Sequence, residues 1–158
     1  KSVMLFSIGL FMHIIGITLI AGGSLGGLLL ENHIWKSLPE APEKVRALGP
    51  LMLKYPVIIQ AGTLLMLVSG LIMLGSLGWG VASQGWFIIK MLLVVALVLN
   101  GIWVAKPNAA RLRLLIARLT DGDPVAAEIA RVKRNLTIFH ISEMTMLVVV
   151  YLLAVFRF

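Results

Sequence analysis

Four ionisable side chains fall inside long apolar stretches of this 158-residue chain: His13, Lys90, His140 and Glu143. An ionisable group at the centre of a bilayer costs about 2.5–3.5 kcal/mol on insertion scales, and such groups commonly mark functional sites. Neutral imidazoles are the axial ligands of b-type haem, so His13 and His140 are the candidate metal ligands. A carboxyl in hydrocarbon needs a proton or a cationic partner. Glu143 therefore fits an orienting or proton-carrying role, and Lys90 one of pairing with a propionate or quinone oxygen. Gln60 and Asn100 add uncharged polarity that could line a cofactor. Each has a plainer reading: histidines can bond across helices, and Lys90 can snorkel to the interface. The eight methionines are scattered and read as packing residues.

These side chains can meet only if their elements place them at one depth. A helix rises about 1.5 Å per residue. Counting from the span ends predicts His13 about 15 Å deep, with Gln60 and Glu143 at the same mid-membrane level. His140 and Asn100 fall just below, and Lys90 lies one turn inside the outer face. His140, Glu143 and Met144 share one helix face at i, i+3 and i+4.

About 20 apolar residues cross a bilayer. Four stretches qualify: residues 3–30, 56–77, 86–105 and 136–156. The first is too long and too apolar at its end for a secretory leader and reads as a retained span. Its glycines (Gly9, Gly16, Gly22, Gly23, Gly26 and Gly27) favour close helix approach, as Gly70 and Gly75 do in the second. The room left near His13 by Gly9, Gly16 and Ala21 suits a flat ring. Composition agrees, since 13% charged and 59% hydrophobic residues cannot coat a water-facing globule. The expected fold is all-α, a single transmembrane domain over 1–158 forming a four-helix bundle.

The net charge of +7 does not indicate nucleic acid, because the basic residues sit beside apolar spans. The connector after the first span carries Lys36, Lys44, Arg46 and Lys54. The one after the third carries Lys106, Arg111, Arg113, Arg118, Arg131, Lys133 and Arg134. The other side has only Lys1 and Arg157, so both connectors are expected inside and both termini outside the cytoplasm. The expected location is a bacterial inner membrane, with membrane lipids as partners. Trp79 and Trp86 mark the outer interface, and Trp35, Tyr55 and Trp103 the inner one. Residues 109–118 have amphipathic helical spacing and are expected to lie on the inner leaflet, after a stop at Lys106-Pro107. Asp121-Gly122-Asp123-Pro124 should end that helix, with Asp123 capping the next. With no cysteine, disulfides, iron–sulfur clusters and thiolate zinc sites are excluded.

The polar segments carry a family resemblance. Met12-His13-Ile14-Ile15-Gly16 with Ala21-Gly22, Trp86-Phe87-Ile88-Ile89-Lys90-Met91-Leu92, and Ser142-Glu143 running to Phe156-Arg157-Phe158 match in order and spacing. They resemble the HemJ-type membrane protoporphyrinogen oxidases and, more loosely, the copper-resistance D-type membrane proteins. Ser24-Leu25-Gly26-Gly27 stands where that family has Tyr-Leu-Pro-Arg. The resemblance implies His13 as haem ligand, Lys90 as the functional lysine and Glu143 as the fourth-span carboxylate.

The expected function is thus haem b binding, with electron transfer or protoporphyrinogen-like oxidation and a quinone or porphyrin as candidate partner. The alternative is a non-catalytic accessory subunit of a larger respiratory or photosynthetic membrane complex, or a homo-oligomer. A third reading, copper transport through His13, His140, Met144 and Met146, lacks paired methionine motifs.

Overall fold

Hydrocarbon offers backbone N–H and C=O groups no water, so a chain this apolar must satisfy them within helices. The computed structural model describes residues 2–38, 40–118 and 126–156, and it is all-helical there. In order come α1 (Ser2–Ser37), the short α2 (Pro42–Ala47) and α3 (Gly49–Met52), and α4 (Lys54–Leu77). A 3-10 turn (Trp79–Ser83) leads to α5 (Gly85–Asn100), a π-helical turn (Gly101–Ala105), α6 (Lys106–Arg118) and α7 (Ala126–Phe156). Four helical stretches are long and apolar enough to span a membrane: Val3–Ser37, Gly49–Leu77, Gly85–Arg118 and Ala127–Phe156. The all-α, four-span expectation holds. The helices overrun the apolar stretches, so Glu31–Lys36 continue α1 rather than opening a loop. Gly78, with φ at +88°, ends α4 in a conformation that side chains rarely adopt, and its N–H caps the Leu74 carbonyl.

The chain divides into two compact units. One holds the residues up to His33 together with Pro50–Gln84; the other holds Ile34–Gly49 and the residues from Gly85 on.

In the first unit α1 and α4 run antiparallel in strict register. A Cβ built on Gly9 would lie 2.9 Å from Met73 Cγ, one on Gly16 2.8 Å from Met66 N, and one on Gly23 2.7 Å from Ile59 Cγ1. Each seven-residue step along α1 thus matches a seven-residue step back along α4, the period of a left-handed pairing. At the centre Gly16 meets Gly62, where a Cβ would lie 2.7 Å from the Gly16 carbonyl oxygen. Backbone touches backbone there. Gly26 faces the ring of Tyr55, making that tyrosine a packing residue of the groove. Gly75 and Gly22 meet no atom within 4 Å, so the tight contact of α4 is made by Gly62 instead.

In the second unit the helix does not stop at Lys106-Pro107. Proline lacks the N–H an α-helix needs and clashes with the carbonyl four residues back. The π-helical turn just before it absorbs this misfit: Lys106 N–H donates to the Gly101 carbonyl, five residues back. The helix continues into α6, which packs on α7 and on α2. Leu112, Leu115 and Ile116 of α6 and Val45 of α2 are buried. The amphipathic helix therefore covers Leu112, Leu115 and Ile116 with protein and leaves Leu114 exposed. The Asp121–Pro124 break and the Asp123 cap lie outside the described residues.

A Gly62→Leu variant should be destabilised by about 1–3 kcal/mol, the range for overpacking a tight contact. Thermal unfolding in detergent reads this directly, with Gly22→Ala as a control that should leave the midpoint unchanged. Equal midpoints for wild type and Gly62→Leu would exclude the close crossing.

Candidate functional site

Tight approach of α1 to α4 carries His13 onto the α4 backbone. Its Nδ1 lies 3.1 Å from the Met66 carbonyl oxygen and 3.0 Å from Ser69 Oγ. The Ser69 hydroxyl donates to the same Met66 carbonyl at 3.0 Å. A carbonyl only accepts, so an unprotonated Nδ1 would set two lone pairs against each other at that distance. The consistent assignment puts the proton of the neutral ring on Nδ1, shared between Met66 O and Ser69 Oγ. Nε2 is then the nitrogen with the lone pair. Gly70 is in ordinary contact with the ring, its built Cβ 3.7 Å from His13 Cε1. His13 is half-buried and Ser69 fully buried.

Gln60 lies on the same helix nine residues before Ser69, about 13 Å along the axis from the level of His13. It is exposed, so the structure does not bring it to His13. Ser69 and the Met66 carbonyl take the place foreseen for it. The signal was present in the sequence: Tyr55, Gly62, Ser69 and Ser76 recur every seven residues on α4, opposite the glycines of α1.

The second unit holds the other polar residues. His140 and Glu143 are each 6% exposed, within a buried stripe of α7 otherwise made of Val132, Leu136, Phe139, Leu147, Val150 and Leu153. The Phe139 and His140 rings meet edge-on, 5.1 Å between centroids. Asn100 donates from Nδ2 to Ser142 Oγ at 3.0 Å, and Ser142 donates to the Phe139 carbonyl at 2.8 Å. Asn100 is thus a clasp between α5 and α7. Lys90 is half-buried on α5, ten residues before Asn100 and about 15 Å along the helix from that clasp. It stands near the start of α5, away from the level of Glu143.

Further along the seam, Asn135 Nδ2 donates to Asn108 Oδ1 at 3.0 Å, and Asn108 Nδ2 donates to the Val104 carbonyl at 2.7 Å. Arg111 pairs with Glu128 at its exposed end. None of these partners was foreseen from the sequence. Among the described residues no three His, Cys, Asp or Glu side chains converge as a metal-binding group.

Histidine nitrogen-15 shifts in the detergent-solubilised protein should report the Nδ1–H tautomer for His13. Ser69→Ala removes one acceptor and should weaken that preference, costing about 0.6 kcal/mol, the mean for interhelical bonds in membranes. An Nε2–H tautomer in the wild type would overturn the assignment.

No curated protein and no solved structure matches this chain. A family model does match, over residues 8–158. On that match, and with four helices of membrane length, the chain belongs to the family described as "Predicted integral membrane protein (DUF2269)".

Proposed function

We propose that this integral membrane protein binds a b-type haem with His13 as an axial ligand, and serves electron transfer or the oxidation of a porphyrin-like substrate. The observation that carries this reading is the Nδ1 contact with Met66 O and Ser69 Oγ. Histidines that hold a metal donate their other N–H to a carbonyl or carboxylate, which fixes the tautomer and the ring. His13 is arranged in that way, with Nε2 the ligating nitrogen. The resemblance to the HemJ-type proteins points to the same residue.

A porphyrin supplies four of the iron's ligands itself, so one or two imidazoles suffice. A copper site built from protein alone needs several converging donors. The few donors near His13 fit haem better than copper. When bound, the haem would supply one-electron chemistry. Lys90, near one end of its span, would offer its ammonium to a propionate or a quinone oxygen. His140 is enclosed in the core stripe of α7 and is left out of the ligand set. The basic connectors are placed in the cytoplasm of a bacterial inner membrane, on the asymmetry of lysine and arginine.

The test is a reduced-minus-oxidised absorption spectrum of the purified protein, with haem quantified as the pyridine haemochrome. Wild type should carry near-stoichiometric b-type haem, and His13→Ala should lose it. Ser69→Ala should weaken retention about tenfold, the lower end of second-shell effects on metal affinity. His140→Ala should retain haem; loss there would return His140 to the ligand set. A featureless wild-type spectrum after growth with haem precursor would favour an accessory subunit instead.

A further inference from the structure

The two sides of α4 differ in character. Gly62 and Ser69 are buried where the helix meets Gly16 and His13 of α1. Gln60 and Leu67 precede them by two residues, about 200° round the helix, and so lie on its back. Val57, Gln60, Leu64, Leu67 and Leu71 are all exposed there. Their spacing alternates between three and four residues, the heptad pattern of two helices packed as a left-handed pair.

Gln60 sets this stripe apart from an ordinary lipid-facing one. It stands six residues beyond Lys54, about 9 Å along the axis, inside the apolar stretch 56–77. Acyl chains neither donate nor accept hydrogen bonds, so a carboxamide there stays unsatisfied unless a protein group meets it. Exposed hydroxyls on α1 and α7 are satisfied within their own helix: Ser7, Thr18 and Thr145 donate to the carbonyls four residues back. Gln60 makes no such bond, and among the described residues none bonds to its carboxamide.

We infer that this stripe is the contact between two copies of the chain, with the two Gln60 carboxamides bonded to each other. A carboxamide carries both a donor and an acceptor, so it is its own complement across a two-fold axis. The asymmetry of lysine and arginine gives every copy the same orientation in the membrane. The axis therefore runs along the membrane normal, and the two α4 helices lie parallel with each stripe residue opposite its own equivalent. The four apolar residues supply packing, and the single polar pair fixes the register. The contact lies on the back of α4 and does not depend on haem at His13.

The chain has no cysteine, so single-cysteine variants of the full-length protein in liposomes test this directly. Leu64→Cys and Leu67→Cys should form disulfide-linked dimers on oxidation, a product that one cysteine per chain cannot give within a single copy. Ile58→Cys, exposed near the depth of Gln60 but on the flank beside Gly23, should not. The thiol–disulfide equilibrium of Leu64→Cys at rising lipid dilution measures the pairing constant. Adding Gln60→Leu should weaken that constant roughly tenfold, the worth of two average interhelical hydrogen bonds. Equal linkage at all three positions would mean chance collision, and no linked dimer would mean that lipid or another protein covers the stripe. Either result overturns the inference, as does pairing undiminished by Gln60→Leu.

Discussion

The contact between Gly16 and Gly62 decides what the first unit can do. Lipid tails are as apolar as leucine side chains, so burying them against one another gives helices little reason to associate. What remains is dispersion between closely apposed surfaces and the occasional hydrogen bond. Two glycines facing each other let α1 and α4 touch along their backbones. Only at that separation can a side chain as short as histidine reach a main-chain carbonyl of the opposite helix. Larger residues at 16 or 62 would push the helices apart and leave the His13 ring without Met66 and Ser69.

The second unit is held by a different means. Its tight packing comes from the α7 stripe, supplemented by amide and hydroxyl bonds at Asn100–Ser142 and Asn108–Asn135. A π-helical turn ahead of Pro107 keeps α5 and α6 in one continuous rod, which lets those bonds extend beyond the apolar span. Without that turn the proline would end the helix at Lys106. The Asn108–Asn135 pair and the Arg111–Glu128 pair would then lose their common frame.

Much of this was readable from the residues. Four apolar stretches and the small residues of α1 sufficed for an all-helical membrane chain, because length and hydropathy alone set whether a segment can span. His13, His140 and Glu143 stood out for the same reason. What escaped was pairing. Depth counting from span ends placed Gln60 beside His13, because it fixes no register between helices; the glycine heptad does, and it selects Ser69. Pro107 looked like a terminator because its missing donor disrupts an α-helix, whereas a wider turn tolerates it. The protein that covers Leu112, Leu115 and Ile116 of α6 was not legible either, because spacing shows that a face is apolar and not what packs on it.

Energetics separate the polar residues into two kinds. Hydrogen bonds between helices in membranes average about 0.6 kcal/mol, so Asn100 and Ser142 are adequately explained as glue. A carboxyl in a core stripe is another matter. Replacing buried ion pairs by well-packed apolar residues is often neutral or stabilising by about 1–4 kcal/mol, even where the partners are good. On stability alone, position 143 would favour a leucine like those at 136, 147 and 153 around it. His140, one turn away, poses the same question. The two sit where an apolar side chain would pack best, in line with Leu136, Phe139, Leu147 and Val150 of the α7 stripe.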